Sequence, residues 1–400
     1  MANPVTRKAK TMNIPSIPDA EYKARMLKAQ ELIRERGLDV MLINSNEAEF
    51  ANVRYFSNFW PIFEISGVVI PPTGEATLLC GPESELFAGD RSKIARVRKM
   101  IEYREPADPA YPGVAVSSFK DVFAEAGVPA PKRIGIGGYI VTTAPVLDGL
   151  KAAFPNAELV RADDIMVAMR SIKSPAEIAC LKKAFSLAED AIDDILKQIK
   201  PGMTELQCVG IAQKTIYDGG AEYEGLPIYV FAGPSTAHAI SRPTYRKIQK
   251  GDLIQLNTAA RICGYSSGVG RPLCMGKMTD KMRRMVEFGK MSHLKTIEWM
   301  KAGIEACEVA KKYKQLFIEK GFAENYLYGP CHGLGMIEVE PPWMEETSHY
   351  YLQENMTFNV DSFMFAKGEF GLRWENGARV TASGVELLSN RFMDIIELEV

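Results

Sequence analysis

Apolar side chains recur on one helical face at Tyr22, Met26, Ala29 and Ile33, which predicts a helix over 19–36, capped by Asp19 and stopped at Gly37. The run Val40 to Ile43 is continuously apolar and reads as a buried strand. Short strands at Gly67 to Ile70 and Ala76 to Cys80, a turn at Pro71 and Pro72, and helical periodicity after Pro145 extend an α/β pattern. The pattern restarts at Ser174-Pro175-Ala176-Glu177, where a serine N-cap, a proline at the first helical position and a glutamate three residues after the cap make a capping box. Thr204 to Gln207 repeats the device. Amphipathic stretches at 279–301 and 304–320, then strands around 356–361 and 378–381, predict an α+β arrangement. The expected division is a tail over 1–18, an α/β domain over 19–168 and a second domain over 169–400.

Composition narrows this picture. A chain of 400 residues, 46% hydrophobic and 24% charged, can bury a large core. Its 48 basic and 50 acidic residues form no single-sign block, so neither nucleic acid nor an anionic membrane is expected as a partner. Seven scattered cysteines without a C-x-x-C pair read as reduced thiols of a cytoplasmic protein, and no apolar run is long enough for a membrane span. A small-molecule substrate is the expected partner.

The candidate chemistry lies in four segments: HGLGMIEVEPP beginning at His332, FNVDSF around Asp361, RWEN around Glu375, and QLNTAARICGYSSGVGRPL with Asn257 and Gly268. Their Gly, Pro and acidic spacing resembles the pita-bread metallopeptidase family, which includes prolidases, aminopeptidase P, methionine aminopeptidase and creatinase. EYKARMLKAQELIRERGLDVMLI and NVRYFSNF resemble its N-terminal domain, and RSIKSPAEI resembles the start of its catalytic domain. The resemblance implies an α/β N-terminal creatinase-like domain, an α+β pita-bread catalytic domain and a homodimer in which the loop around Trp60 reaches the partner's pocket.

The family's five metal ligands run Asp, Asp, His, Glu, Glu. The matching positions here are Asn257, Gly268, His332, Asp361 and Glu375. Two divalent ions need several carboxylates to offset their charge, so a dinuclear centre is not expected. The segment LNT matches creatinase, which works without metal, and its catalytic histidine corresponds to His238. Accordingly the expected activity is a metal-independent, creatinase-like hydrolase or lyase without cofactor, cleaving a C–N bond of a small cationic or zwitterionic metabolite. His238, His332, Asp361 and Glu375 are its catalytic candidates. Trp60, Phe63, Tyr265, Arg271, Glu340, Trp343, Arg373 and Trp374 are candidates for binding substrate, aromatic faces and free carboxylates both suiting a cation.

Departures from creatinase include Gly270 before Arg271 and no arginine in the FWPIFEI loop. Relative to prolidases, the second histidine of the H-E-x-P segment is Val339. Two rivals stand beside the main expectation. One is a mononuclear metal-dependent Xaa-Pro-type peptidase or lyase with His332, Asp361 and Glu375 on one ion. The other is a non-catalytic binding member.

Overall fold

A computed structural model of the chain describes residues 13–399. Residues 1–12, most of the expected tail, and residue 400 lie outside them. The described residues form two compact units, Ile17–Ile172 and 173–399, the latter together with residues 13–16.

In the first unit six strands make one mixed sheet: β1 (Val40–Ser45), β2 (Ser66–Ile70), β3 (Thr77–Cys80), β4 (Arg96–Lys99), β5 (Arg133–Gly137) and β6 (Glu158–Arg161), in the order β4-β3-β2-β1-β5-β6. β1 is central and wholly buried, which explains its unbroken apolar run. The first helix spans Asp19–Glu35. Pro18, not Asp19, occupies its N-cap, and Asp19 pairs instead with Lys93 at 2.7 Å.

The second unit is built on an antiparallel sheet. Its strands are β7 (Tyr229–Ala232), β8 (Leu253–Thr258), β11 (Val269–Met275), β12 (Cys331–Gly333), β13 (Glu340–Met344), β14 (Thr357–Ala366) and β15 (Phe370–Val380), in the order β13-β12-β14-β15-β11-β8-β7. A two-residue hairpin of β9 (Arg261–Ile262) and β10 (Tyr265–Ser266) stands apart, while β16 (Val385–Leu387) and β17 (Ile396–Leu398) add to β15 and β11. Both capping boxes form: Ser174 Oγ accepts from the Glu177 amide at the start of Pro175–Gln198, and Thr204 Oγ1 accepts from the Gln207 amide at the start of Glu205–Asp218.

The hairpin β14–β15 positions the site. Its register pairs Asp361 with Glu375 and Phe363 with Arg373. Side chains alternate across a strand, so odd positions of both strands share one face and even positions the other. Even positions Met364, Leu372 and Trp374 pack on Met285, Val286 and Phe288 of the helix Asp280–Trp299. Odd positions Asn359, Asp361, Arg373 and Glu375 carry the polar groups. Their strands are buried on both faces, which hides the alternation from a reading of hydrophobicity.

Candidate metal centre

Strand pairing brings the polar groups together from distant parts of the chain. His332 lies opposite Asn359, Gly270 opposite both Asn257 and Glu375, and Asp361 opposite Glu375. A Cβ on Gly270 would come within 2.8 Å of Glu375 Cβ and 2.9 Å of Arg373 Cγ, so this crossing leaves no room for a side chain before Arg271.

His332 Nδ1 lies 3.0 Å from the Gly333 carbonyl. A carbonyl only accepts, so Nδ1 carries the hydrogen and a neutral ring presents its Nε2 lone pair. That nitrogen lies 3.7 Å from Glu338 Oε1 and 3.9 Å from Glu375 Oε1. Two asparagines hold the carboxylates: Asn257 Nδ2 donates to Glu375 Oε2 at 2.7 Å, and Asn359 Nδ2 donates to Glu375 Oε1 at 2.8 Å and also to Glu338 Oε1. Among the described residues Asn257 Oδ1, Asn359 Oδ1 and Asp361 Oδ1 are buried without a hydrogen-bond partner. Burial, then the charges of Glu338 and Asp361, push the Glu375 carboxyl well above the usual carboxylate range. Burial also raises that of Glu338. Without an ion, the direction is clear: the pair keeps a proton between them.

Ligand atoms of His332, Glu338 and Glu375 lie within 4.8 Å of one another. One imidazole and two carboxylates are a donor set for one divalent cation. The set does not fit two ions. A Cβ on Gly268 would stand 2.6 Å from both Glu338 Oε1 and Asn359 Nδ2, so the volume beside it is filled.

Asp361 is placed differently from the expectation of a His332–Asp361–Glu375 set. Its Oδ2 accepts from Tyr328 at 2.8 Å and pairs with Arg373 at 3.2 Å. Arg373 also donates to the Ala239 carbonyl at 2.7 Å and to Tyr328 Oη at 3.1 Å. One methylene shorter than glutamate, Asp361 neutralises this buried guanidinium.

Several other candidates serve the fold. Arg271 is fully buried and donates to the carbonyls of Gly270, Glu375 and Arg391. Trp374 is likewise buried, its indole N–H donating to the Val286 carbonyl, and Tyr265 Oη donates to Glu177 at 2.5 Å. Glu340 pairs with buried Lys173 at 3.1 Å. Trp343 is 40% exposed and its ring centroid lies 5.5 Å from that of His332, which leaves it as a wall a ligand can touch. His238 is exposed on the loop after Gly233–Ala237, one residue before the carbonyl that Arg373 holds.

Trp60 and Phe63 belong to the first unit, where the Trp60 indole donates to the Glu47 carbonyl and Phe63 is largely exposed with φ of 60°. His349, in a loop, meets Glu305 at 3.0 Å, and His293 on its helix meets Asn376 at 2.8 Å. Glu338, Asn359, Tyr328 and Lys173 are the residues that sequence reasoning missed. No periodic signal marked Glu338, because residues 335–339 are bends outside any strand.

The cluster thus joins His332 of β12, Glu375 of β15 and Glu338 of the segment between β12 and β13. Residues 179–382 match the description Metallopeptidase family M24, and residues 25–172 match the Creatinase/Prolidase N-terminal domain. The chain belongs to the M24 family, a family of hydrolases. A Xaa-Pro dipeptidase of Pyrococcus horikoshii is 24% identical over 375 residues, covering 93% of this chain and 98% of that protein. Among solved structures, an X-Pro aminopeptidase of Thermotoga maritima has a TM-score of 0.81 at 23% identity, covering 93% of this chain and 99% of that one. A prolidase of Pyrococcus horikoshii has a TM-score of 0.79 at 22% identity, covering 93% and 100%.

These findings correct the expectation of a metal-independent, creatinase-like hydrolase of a non-peptide C–N bond. The matched relatives are peptidases, and the family is one of metallopeptidases. The physical source of the error is specific: counting Asn257 and Gly268 as lost carboxylates left out Glu338, which stands beside Gly268. The seven cysteines are free thiols, and no helix among the described residues is long and apolar enough to cross a membrane.

Proposed function

We propose that the chain is a hydrolase that uses a single divalent ion, held at the His332 and Glu375 cluster, to cleave a C–N bond in a small peptide substrate of the Xaa-Pro dipeptide class. The observation that carries this reading is the convergence of acceptors. The His332 ring nitrogen and two carboxylates lie together, and Arg373, the cation whose charge reaches them, is paired with Asp361. Such an arrangement is costly in a buried site unless a cation stands within it. The relatives printed as Xaa-Pro dipeptidases support the substrate class.

Held at the His332 and Glu375 cluster, a divalent ion would supply Lewis acidity toward the scissile carbonyl and toward water. The protein's part is to orient. The Gly333 carbonyl fixes the His332 tautomer, and Asn257 and Asn359 hold the Glu375 carboxylate from both sides. We assign to His238, whose neighbour Ala239 accepts a hydrogen bond from Arg373, the return of a proton to the leaving nitrogen. Trp343 offers an apolar face beside the metal position. We also propose a homodimer, which sedimentation analysis tests directly.

The test is a metal assay of protein purified without chelator, combined with a hydrolysis screen of Xaa-Pro and other dipeptides against guanidino controls. One equivalent of a divalent ion and turnover of a dipeptide are expected. Hydrolysis of a guanidino compound by metal-stripped protein would overturn the proposal.

A further inference from the structure

We infer that Glu338 is a ligand of the single ion, standing in the volume that Gly268 leaves free, so that one ligand carboxylate has moved from the start of β11 to the segment between β12 and β13. The inference rests on the one-ion reading and adds to it the identity of the third ligand.

Three observations carry it. First, Glu338 is buried at 6% exposure, and its Oε1 lies 3.7 Å from the lone-pair nitrogen of His332. Second, a Cβ on Gly268 would meet that same Oε1 and Asn359 Nδ2 at 2.6 Å, so a side chain at 268 and the present position of Glu338 exclude each other. Third, Asn359 Nδ2 donates to both Glu338 Oε1 and Glu375 Oε1, setting the two carboxylates side by side with the imidazole. Charge agrees with geometry. Asp361 and Arg373 pair with each other at 3.2 Å, which leaves the Glu338 and Glu375 carboxylates available to a cation. One divalent cation balances them.

The donor set also selects the kind of ion. Two carboxylates and one imidazole make up the cluster, and no thiol is in it. Oxygen-rich sites of this kind favour hard, six-coordinate cations, with Mn2+ the natural probe.

The experiment is titration of the full chain with Mn2+, followed by the electron paramagnetic resonance of the free ion and by calorimetry. Wild type, Glu338→Gln, Glu338→Ala, His332→Ala and the double variant Glu338→Ala with Gly268→Asp are compared, with circular dichroism as the check on folding. One Mn2+ per wild-type chain is expected, weakened at least about 10-fold to 100-fold by Glu338→Gln, an isosteric change. The double variant should bind Mn2+ more tightly than Glu338→Ala, because truncating residue 338 opens the space a carboxylate at 268 needs. If Glu338→Gln binds as tightly as wild type while His332→Ala does not, the assignment of Glu338 is overturned and the one-ion reading stands. Failure of the double variant to improve on Glu338→Ala overturns the exchange between positions 268 and 338. A wild-type chain that takes up no Mn2+, or two equivalents, overturns the one-ion reading itself.

Discussion

His293 is expected to make the second unit acid-sensitive. The ring is fully buried on the helix Asp280–Trp299; Nε2 donates to Asn376 Oδ1 at 2.8 Å, and Nδ1 has no partner among the described residues. Burial, reinforced by the Arg271 charge, lowers its pKa from 6.5 to about 3, against the Asn376 hydrogen bond that raises it. As pH falls through 6.5 the unfolded chain takes up a proton here that the folded chain refuses until about pH 3. The stability contributed by the neutral ring is therefore present above pH 6.5, is lost as pH falls, and the loss saturates near pH 3. At pH 5, about 1.5 units below the unfolded value, the loss is about 2 kcal/mol at 1.36 kcal/mol per unit. His293→Gln retains an N–H for Asn376 and cannot titrate. The assay is urea unfolding at pH 7.5 and pH 5.0, followed by tryptophan fluorescence, which reports chiefly on this unit because Trp299, Trp343 and Trp374 lie in it and Trp60 does not. On acidification the glutamine variant should lose about 2 kcal/mol less than wild type. Equal losses in the two proteins would refute the reasoning.

Asp361→Asn should act on the fold first: it leaves the buried Arg373 guanidinium without its nearest counter-charge, a loss of about 3–5 kcal/mol in denaturant unfolding, and a change under about 1 kcal/mol would show that Glu375 compensates Arg373 instead. His238→Ala should reduce dipeptide turnover by about 10²–10⁴-fold with circular dichroism unchanged, and near-full activity would assign the proton transfer elsewhere. Because burial holds the Glu375 carboxyl above the usual range, ion uptake must expel the proton it shares with Glu338, so metal affinity should strengthen as pH rises; calorimetry in two buffers of different ionisation heat reads the release, and identical heats would exclude it.

Much of the architecture was legible because its determinants are local. The capping boxes at Ser174 and Thr204 are contacts three residues apart, and the apolar run of β1 follows from burial on both faces of one strand. The hairpin β14–β15 was seen only at 356–361 and 378–381, since strands buried on both sides lose the alternation that marks a strand. The segments around His332, Asp361 and Glu375 marked the site, and the loss of carboxylates at 257 and 268 was visible as residue identity. What replaced them was not. Glu338 and Gly268 are 70 positions apart, and only strand pairing shows that the missing Cβ of one leaves the space taken by the carboxylate of the other. The same holds for Asp361, which became the counter-ion of Arg373 because the pairing of β14 with β15 sets their side chains on one face. Residue types and local propensity thus determined which groups the chain owns and which elements carry them. The tertiary structure alone decided which carboxylates meet an imidazole and which meet a guanidinium, because charge and space are shared between segments that no local pattern connects.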